Sequence, residues 1–478
     1  MKSTAPAPTT HSTAITDYFR CDDIPYFGQS GTAHPANGFF RFGSEIVCYG
    51  QSTGKTRSNA TGHLYDASLD VQSDGSGLLL PFDLTQVIDN LRYEAYARPG
   101  NRLLEKPWIK DLYYRLRPML PVAIRKHLQG LYLRDWKTIS FPSWPVDRSV
   151  DVLHEKMLVL AMKNSRIEKV PFVWFWPDGH SACAVMTHDV ETTEGRNFSD
   201  RIMDMDDEAG IKASFQIVPE KRYGVPESYL EELRERGFEI NVQGLDHDGN
   251  LFQNRRTFLE SAAKINRYAG QYRARGFRSP ILYRNSHWFQ DMDFSYDMSV
   301  PNVAHLEAQR GGCCTIMPYS LPGSPVGMTE LPVTMTEDYT LFHVLKDYST
   351  TLWEQQMSII LAGHGLMNFI IHPDYVTTGR AQDTFKALLG KISRLRSERG
   401  VWVPLPRAVD QWWRDRNQMR LVRHGNAWGV EGPGSERATV AFASVEGNHL
   451  TYEFQKGVVP QRREAGLRSN VHPFRISS

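Results

Sequence analysis

Four polar clusters in this chain share one plan: a short apolar run ends abruptly in side chains that can carry chemistry. Ala184-Val185-Met186 precedes Thr187-His188-Asp189-Val190-Glu191, and Phe238-Glu239-Ile240-Asn241-Val242 precedes Gln243, with His247 four residues on. Gly276-Phe277 precedes Arg278, and Met367-Asn368-Phe369-Ile370-Ile371 precedes His372. Such groups can build a hydrolytic centre. A carboxylate takes a proton from water, an imidazole returns one to a leaving group, and a guanidinium keeps its carboxylate neighbour ionised.

Side chains delivered at the ends of short buried strands need a scaffold that gathers those ends. An α/β barrel does this at the C-terminal rim of its parallel strands. The periodicity supports one: from about residue 170 strands alternate with helices. A strand is predicted at 213–218, and helices at 226–236, 255–268, 349–362 and 384–399. A last strand at 401–405 precedes a helix at 408–416. Before this span, a helix is predicted at 84–97 with Asp83 as its N-cap. After residue 421 the pattern turns to two-residue alternation, predicting a small antiparallel β module, completed by the early strand around Val47. Three segments follow: an N-terminal α/β extension (1–165), the barrel (166–418) and the β module (419–478).

At 478 residues there is ample chain for a barrel with two additions, and 41% hydrophobic and 23% charged residues are ordinary for a globular protein. A net charge of +1 and the absence of nucleic-acid-binding motifs argue against a nucleic-acid partner. Five cysteines without metal-ligand spacing fit a reducing compartment. The first twelve residues lack an apolar h-region, and no apolar run approaches the roughly 20 residues that cross a bilayer. A cytoplasmic location is therefore expected. Residues 102–137 carry nine Lys or Arg against three acids, with Trp108, Tyr113, Tyr114, Tyr132 and Trp136 interleaved. Aromatics packed on the barrel with solvated charges are the plainer reading. Peripheral contact with an anionic inner membrane face or glycolipid is the sharper one, tested by vesicle co-sedimentation of Arg/Lys-to-Glu variants.

In order, THDVE, QGLDHDG, FRSP, YDMS, ELP and IIHP resemble the motifs of polysaccharide deacetylases, the NodB-homology group of carbohydrate esterases, over about residues 170–416. The resemblance implies a distorted (β/α) barrel and hydrolytic removal of an acyl group, acetyl above all, from a saccharide or glycan precursor. It maps the general base onto Asp189, the general acid onto His372 and the supporting arginine onto Arg278. The metal ligands map onto Glu191, Gln243 and His247, with Asp246 and Asp248 placed to orient His247. Two positions depart from the family pattern: Glu191 stands for an aspartate and Gln243 for a histidine. An amide is a poor zinc ligand, so the cofactor is a weakly held zinc, manganese or calcium ion, or none. Glu330 is expected to orient His372, Pro280 to shape the turn after Arg278, and Trp288 to pack in the core or stack on substrate. His188 is expected to bond locally. Two other readings stay open: a metal-independent amidase of the allantoinase type, and a glycan-binding scaffold with impaired catalysis.

Overall fold

Buried apolar runs too short for helices become the strands of one sheet. In the computed structural model, residues 13–455 are described apart from 98–132, 134, 324–326 and positions 23, 32, 74, 76 and 426. The basic-aromatic stretch at 102–137 thus lies almost wholly outside the described residues. The strands are β1 (Cys183–Val190), β2 (Ala213–Ile217), β3 (Glu239–Gln243), β4 (Gly276–Arg278), β5 (Tyr296–Asp297), β6 (Tyr319–Ser320), β7 (Thr329–Glu330) and β8 (Leu366–Ile371). They lie in the order β6-β7-β5-β4-β3-β2-β1-β8. Every neighbouring pair is parallel except β6 with β7.

All eight residues of β1 are buried, as a parallel strand covered on both faces requires. Helices Ser199–Glu208, Glu227–Glu235, Arg255–Tyr272 and Gly379–Arg399 supply the outer cover, and their apolar stripes join the strands in one core. Strand alternation sends Asp189 inward and His188 outward. His188 Nε2 there meets Asp206 of the first helix at 2.8 Å, both fully buried, so this imidazole bonds locally as expected. The free edge of β8 is met by the segment after β7. The Thr334 hydroxyl donates to Leu366 O (2.6 Å) and accepts from Asn368 N (2.9 Å), curling the sheet into the distorted barrel expected from the sequence.

Four expected elements differ. Residues 401–405 form no strand, only a bridge from Trp402 to Cys183, because Pro404 and Pro406 lack the N–H groups a ladder needs. Lys169–Val173 does not open the barrel. It pairs with Val440–Glu446, which pairs in turn with His449–Phe454, in a separate antiparallel sheet. The strand Ile46–Gly50 around Val47 pairs with Gly38–Phe42 instead of completing that sheet. Asp83 does cap the first predicted helix, its side chain accepting from Gln86 N, but the helix runs Leu84–Arg92.

Both outer segments rest on the barrel through one apolar cluster that includes Phe19, Phe172, Trp174, Trp412 and Val440 together with Val185 of β1. Arg416, fully buried, donates to Trp174 O, Val173 O and Tyr18 O and so ties three distant stretches together. All five cysteines are free and buried. Among the described residues no helix is long and apolar enough to cross a membrane.

Candidate active site

The C-terminal ends of β1, β3, β4 and β8 converge, and they bring Asp189, Glu191, Gln243, Arg278 and His372 together with His247 from the loop after β3. Arg278, fully buried at the end of β4, donates from Nη1 to Asp189 Oδ1 at 3.1 Å. Gln243 donates from Nε2 to Asp189 Oδ2 at 3.1 Å and to Glu191 Oε1 at 2.9 Å, linking the two carboxylates. His247 Nε2 lies 2.6 Å from the same Glu191 oxygen, and His372 Nε2 lies 3.6 Å from it.

Local backbone explains how these groups arrive. Gly244 takes φ +59°, and a Cβ there would sit 2.4 Å from Pro280 Cγ, so the β3 turn tucks under the proline that follows Arg278-Ser279. Gly244 N donates to Arg278 O at 3.0 Å, fixing Gln243 beside Arg278. His247 itself adopts φ +56°, a conformation that costs a non-glycine residue energy and recurs at functional sites. The turn after β1 is held by Arg222 Nε on Glu191 O (2.8 Å) and by the Tyr223 hydroxyl on Val190 O (2.6 Å).

His372 is oriented by a residue that the sequence did not single out. Asp338 receives its ring Nδ1 at 2.7 Å and its backbone N–H at 2.8 Å. The expected partner, Glu330, is engaged elsewhere: it accepts from Val300 N at 2.9 Å and lies against Asp297. Burial and the neighbouring Asp297 push its carboxyl well above the usual range. Trp288 packs on Phe252 and Phe258, under the Arg255 guanidinium, instead of facing the cluster. Asp246 pairs with Lys221 and Asp248 caps its own turn at Asn250, so neither holds the His247 ring.

The electrostatics sort the groups by role. Burial pushes the Asp189 carboxyl above the usual range, against the pull of Arg278 and His372. Burial acts on Glu191 in the same direction, but His247 and His372 outweigh it and hold that carboxyl well below the usual range. For His372 burial disfavours the charged ring, yet Asp338 and Glu191 prevail and raise it well above an ordinary imidazole. A carboxylate that takes up a proton readily therefore faces an imidazole that keeps one.

Ligand atoms of Asp189, Glu191 and His372 lie within 4.8 Å of one another, the separation a shared cation needs. The fuller donor set does not suit a tightly held metal. Gln243 points an N–H donor, not a lone pair, at both carboxylates, and Arg278 already neutralises Asp189. Zinc sites are built from imidazole, thiolate and carboxylate ligands, and here an amide stands where a second imidazole belongs beside Glu191 and His247. Replacing that amide is expected to create the site: Gln243→His should take up one zinc per chain where the parent protein, after dialysis, holds less. At free zinc about 100 times Kd the variant should gain about 2.7 kcal/mol of stability. Elemental analysis and thermal melting check this.

No family model matches the chain, and no curated protein matches it. Solved structures do. A protein from Mycobacterium smegmatis classed as a polysaccharide deacetylase is 17% identical, with TM-score 0.43, over 51% of this chain and 93% of its own. Puue allantoinase is 11% identical, with TM-score 0.39, over 50% and 92%. A peptidoglycan N-acetylglucosamine deacetylase is 12% identical, with TM-score 0.31, over 49% and 90%. Over half its length the chain is similar to polysaccharide deacetylases and to an allantoinase.

Proposed function

We propose that this chain is a hydrolase that removes an N- or O-acyl group, acetyl above all, from a saccharide or glycan precursor, with Asp189 as base and His372 as acid. One observation carries the reading. Asp189 and His372 stand at the ends of the hydrogen-bonded neighbours β1 and β8, each held by its own buried partner, Arg278 and Asp338. In the proposed reaction Asp189 takes a proton from water as the oxygen adds to the acyl carbon. Collapse breaks the bond to nitrogen or oxygen while His372 Nε2 gives its proton to the departing group. Glu191 holds His372 in its charged form. No step needs a metal, in keeping with the amide at Gln243.

Release of acetate from N-acetylated aminosugars and their oligomers tests the proposal. If the intact protein releases none from any amide or ester yet still binds glycans, the scaffold reading replaces it. Gln243 is also compatible with metal-independent hydrolysis of a cyclic amide of the allantoin kind, and hydrolysis of allantoin with no acetate release would select that reading.

The pH dependence follows from the two shifts. Activity requires Asp189 ionised and His372 protonated. The acid limb of kcat/KM should therefore lie above the ordinary carboxylate value of about 3.9, and the alkaline limb above the ordinary imidazole value of about 6.5. A bell spanning neutral pH is expected. An alkaline limb at or below about 6.5 would remove His372 from the role of acid.

A further inference from the structure

A second acidic pair lies beside the proton donor and takes no part in the reaction proposed above. Glu307, in the chain between β5 and β6, and Glu337, next to Asp338, line a common cavity. It encloses about 370 Å³, at the small end of ligand sites. Leu282, Val333 and Met335 furnish an apolar stretch of its wall, and Trp144 an aromatic one. Leu282 and Val333 pack on Ile370 of β8, two residues before His372, which places the cavity alongside the active site. The charge of His372 acts on both carboxyls.

These carboxyls lack the counter-ions that enclosed acids usually have. Among the described residues no hydrogen bond or ion pair reaches the Glu307 carboxyl. Glu337 accepts a long bond of 3.3 Å from the Thr340 hydroxyl. No Lys, Arg or His lines the cavity. The two arginines that act on Glu307 from outside it are engaged elsewhere: Arg284 donates from Nε to Glu94 at 2.6 Å, and Arg310 lies 3.6 Å from Asp135. Burial pushes the Glu307 carboxyl up to about 7, and burial together with Glu307 pushes Glu337 well above the usual range. Two half-buried acids that repel one another across a cavity destabilise the fold, and a bound cation relieves this.

We propose that this cavity binds a primary ammonium group carried by the substrate, with Glu307 and Glu337 as its anions. An ammonium has three donors and no acceptor, which suits a wall of two carboxylates and the Thr340 hydroxyl oxygen. The methylenes that bear it meet Leu282, Val333 and Met335. Trp144 adds the attraction of an aromatic ring for an organic cation. A hard metal ion fits poorly, because calcium needs about six to eight oxygen ligands and an indole offers none. An anionic ligand is repelled by the same pair. The cation site follows from the cavity alone. Its assignment to the substrate rests on the hydrolase reading, which puts the ammonium near the atom that His372 protonates.

The test uses n-butylammonium and n-butanol as charged and neutral probes, with the full chain throughout. N-acetylputrescine and N-pentylacetamide are the matching charged and neutral amides. Calorimetry on the parent should show butylammonium binding and no butanol binding, a comparison that no misfolded variant can confuse. Glu307→Gln and Glu337→Gln, which keep size and shape, should each weaken butylammonium about 10-fold. In the parent, kcat/KM should favour N-acetylputrescine over N-pentylacetamide about 10-fold, and Glu307→Gln should bring that ratio near one. Absence of butylammonium binding to the parent overturns the proposal, as does unchanged affinity in folded glutamine variants. A turnover ratio near one in the parent, or acetate release from neither linear amide by a protein that cleaves others, overturns the assignment to substrate. Ammonium binding without acyl release from any amide or ester sinks the hydrolase reading alone and leaves the cation site standing.

Discussion

Asp189→Asn is expected to lower kcat/KM for acyl release by about 10²–10⁴-fold, the usual contribution of a positioned general base. The substitution keeps the size of the side chain and an oxygen for Arg278; it gives up the hydrogen bond from Gln243 Nε2, which keeps its second acceptor on Glu191. What it removes is the proton acceptor. An amide cannot take a proton from water at neutral pH, and Glu191, held well below the usual carboxylate range by His247 and His372, is too weak a base to replace it. Acetate release measured against substrate concentration, with circular dichroism as a control for fold, decides the matter. Activity within a few-fold of the parent would remove Asp189 from the chemistry.

Asp338→Asn should be almost as damaging, for a different reason. The parent carboxylate accepts both from His372 Nδ1 and from its backbone N–H. An asparagine has one oxygen for those two donors. If that oxygen keeps the backbone N–H, its NH₂ faces Nδ1, and the ring must become neutral with its proton on Nε2. Neutral imidazole is a very weak acid, and the equivalent aspartate-to-asparagine change beside the histidine of serine proteases costs about 10⁴ in kcat. A loss of about 10³–10⁴-fold is expected here, together with a downward shift of the alkaline limb. Stability should respond too. A histidine whose folded pKa is raised contributes stability that is complete below its unfolded value of about 6.5 and is lost as pH rises through the folded value. Denaturant midpoints taken across that range should fall in the parent and stay nearly flat in the variant. An unchanged pH profile would sink the orienting role of Asp338.

Those two residues also show how far the amino-acid order could be read. Asp189 was legible because a parallel strand buried on both faces is a near-continuous apolar run, so the acid that ends it stands out. The same logic located Gln243, Arg278 and His372. Asp338 escaped because it opens a short helical turn beside Glu337, where no periodicity selects one acid over the other. Glu330 was the more visible choice, since it ends an apolar-flanked strand, but its side chain points to Asp297 and Val300. Val170–Val173 is a short apolar run like those of the barrel strands, and only the pairing of Lys169–Val173 with Val440–Glu446 reveals the second sheet.

That second sheet has a consequence for how the molecule is made. Phe172 lies just before the barrel in the chain, yet its ladder partner Ala441 comes after every barrel strand has been synthesised. Pairings so distant along the chain carry a large loop-closure cost and form late. A nascent chain must therefore hold Phe172 and Trp174 without their final cover until the last hairpin leaves the ribosome.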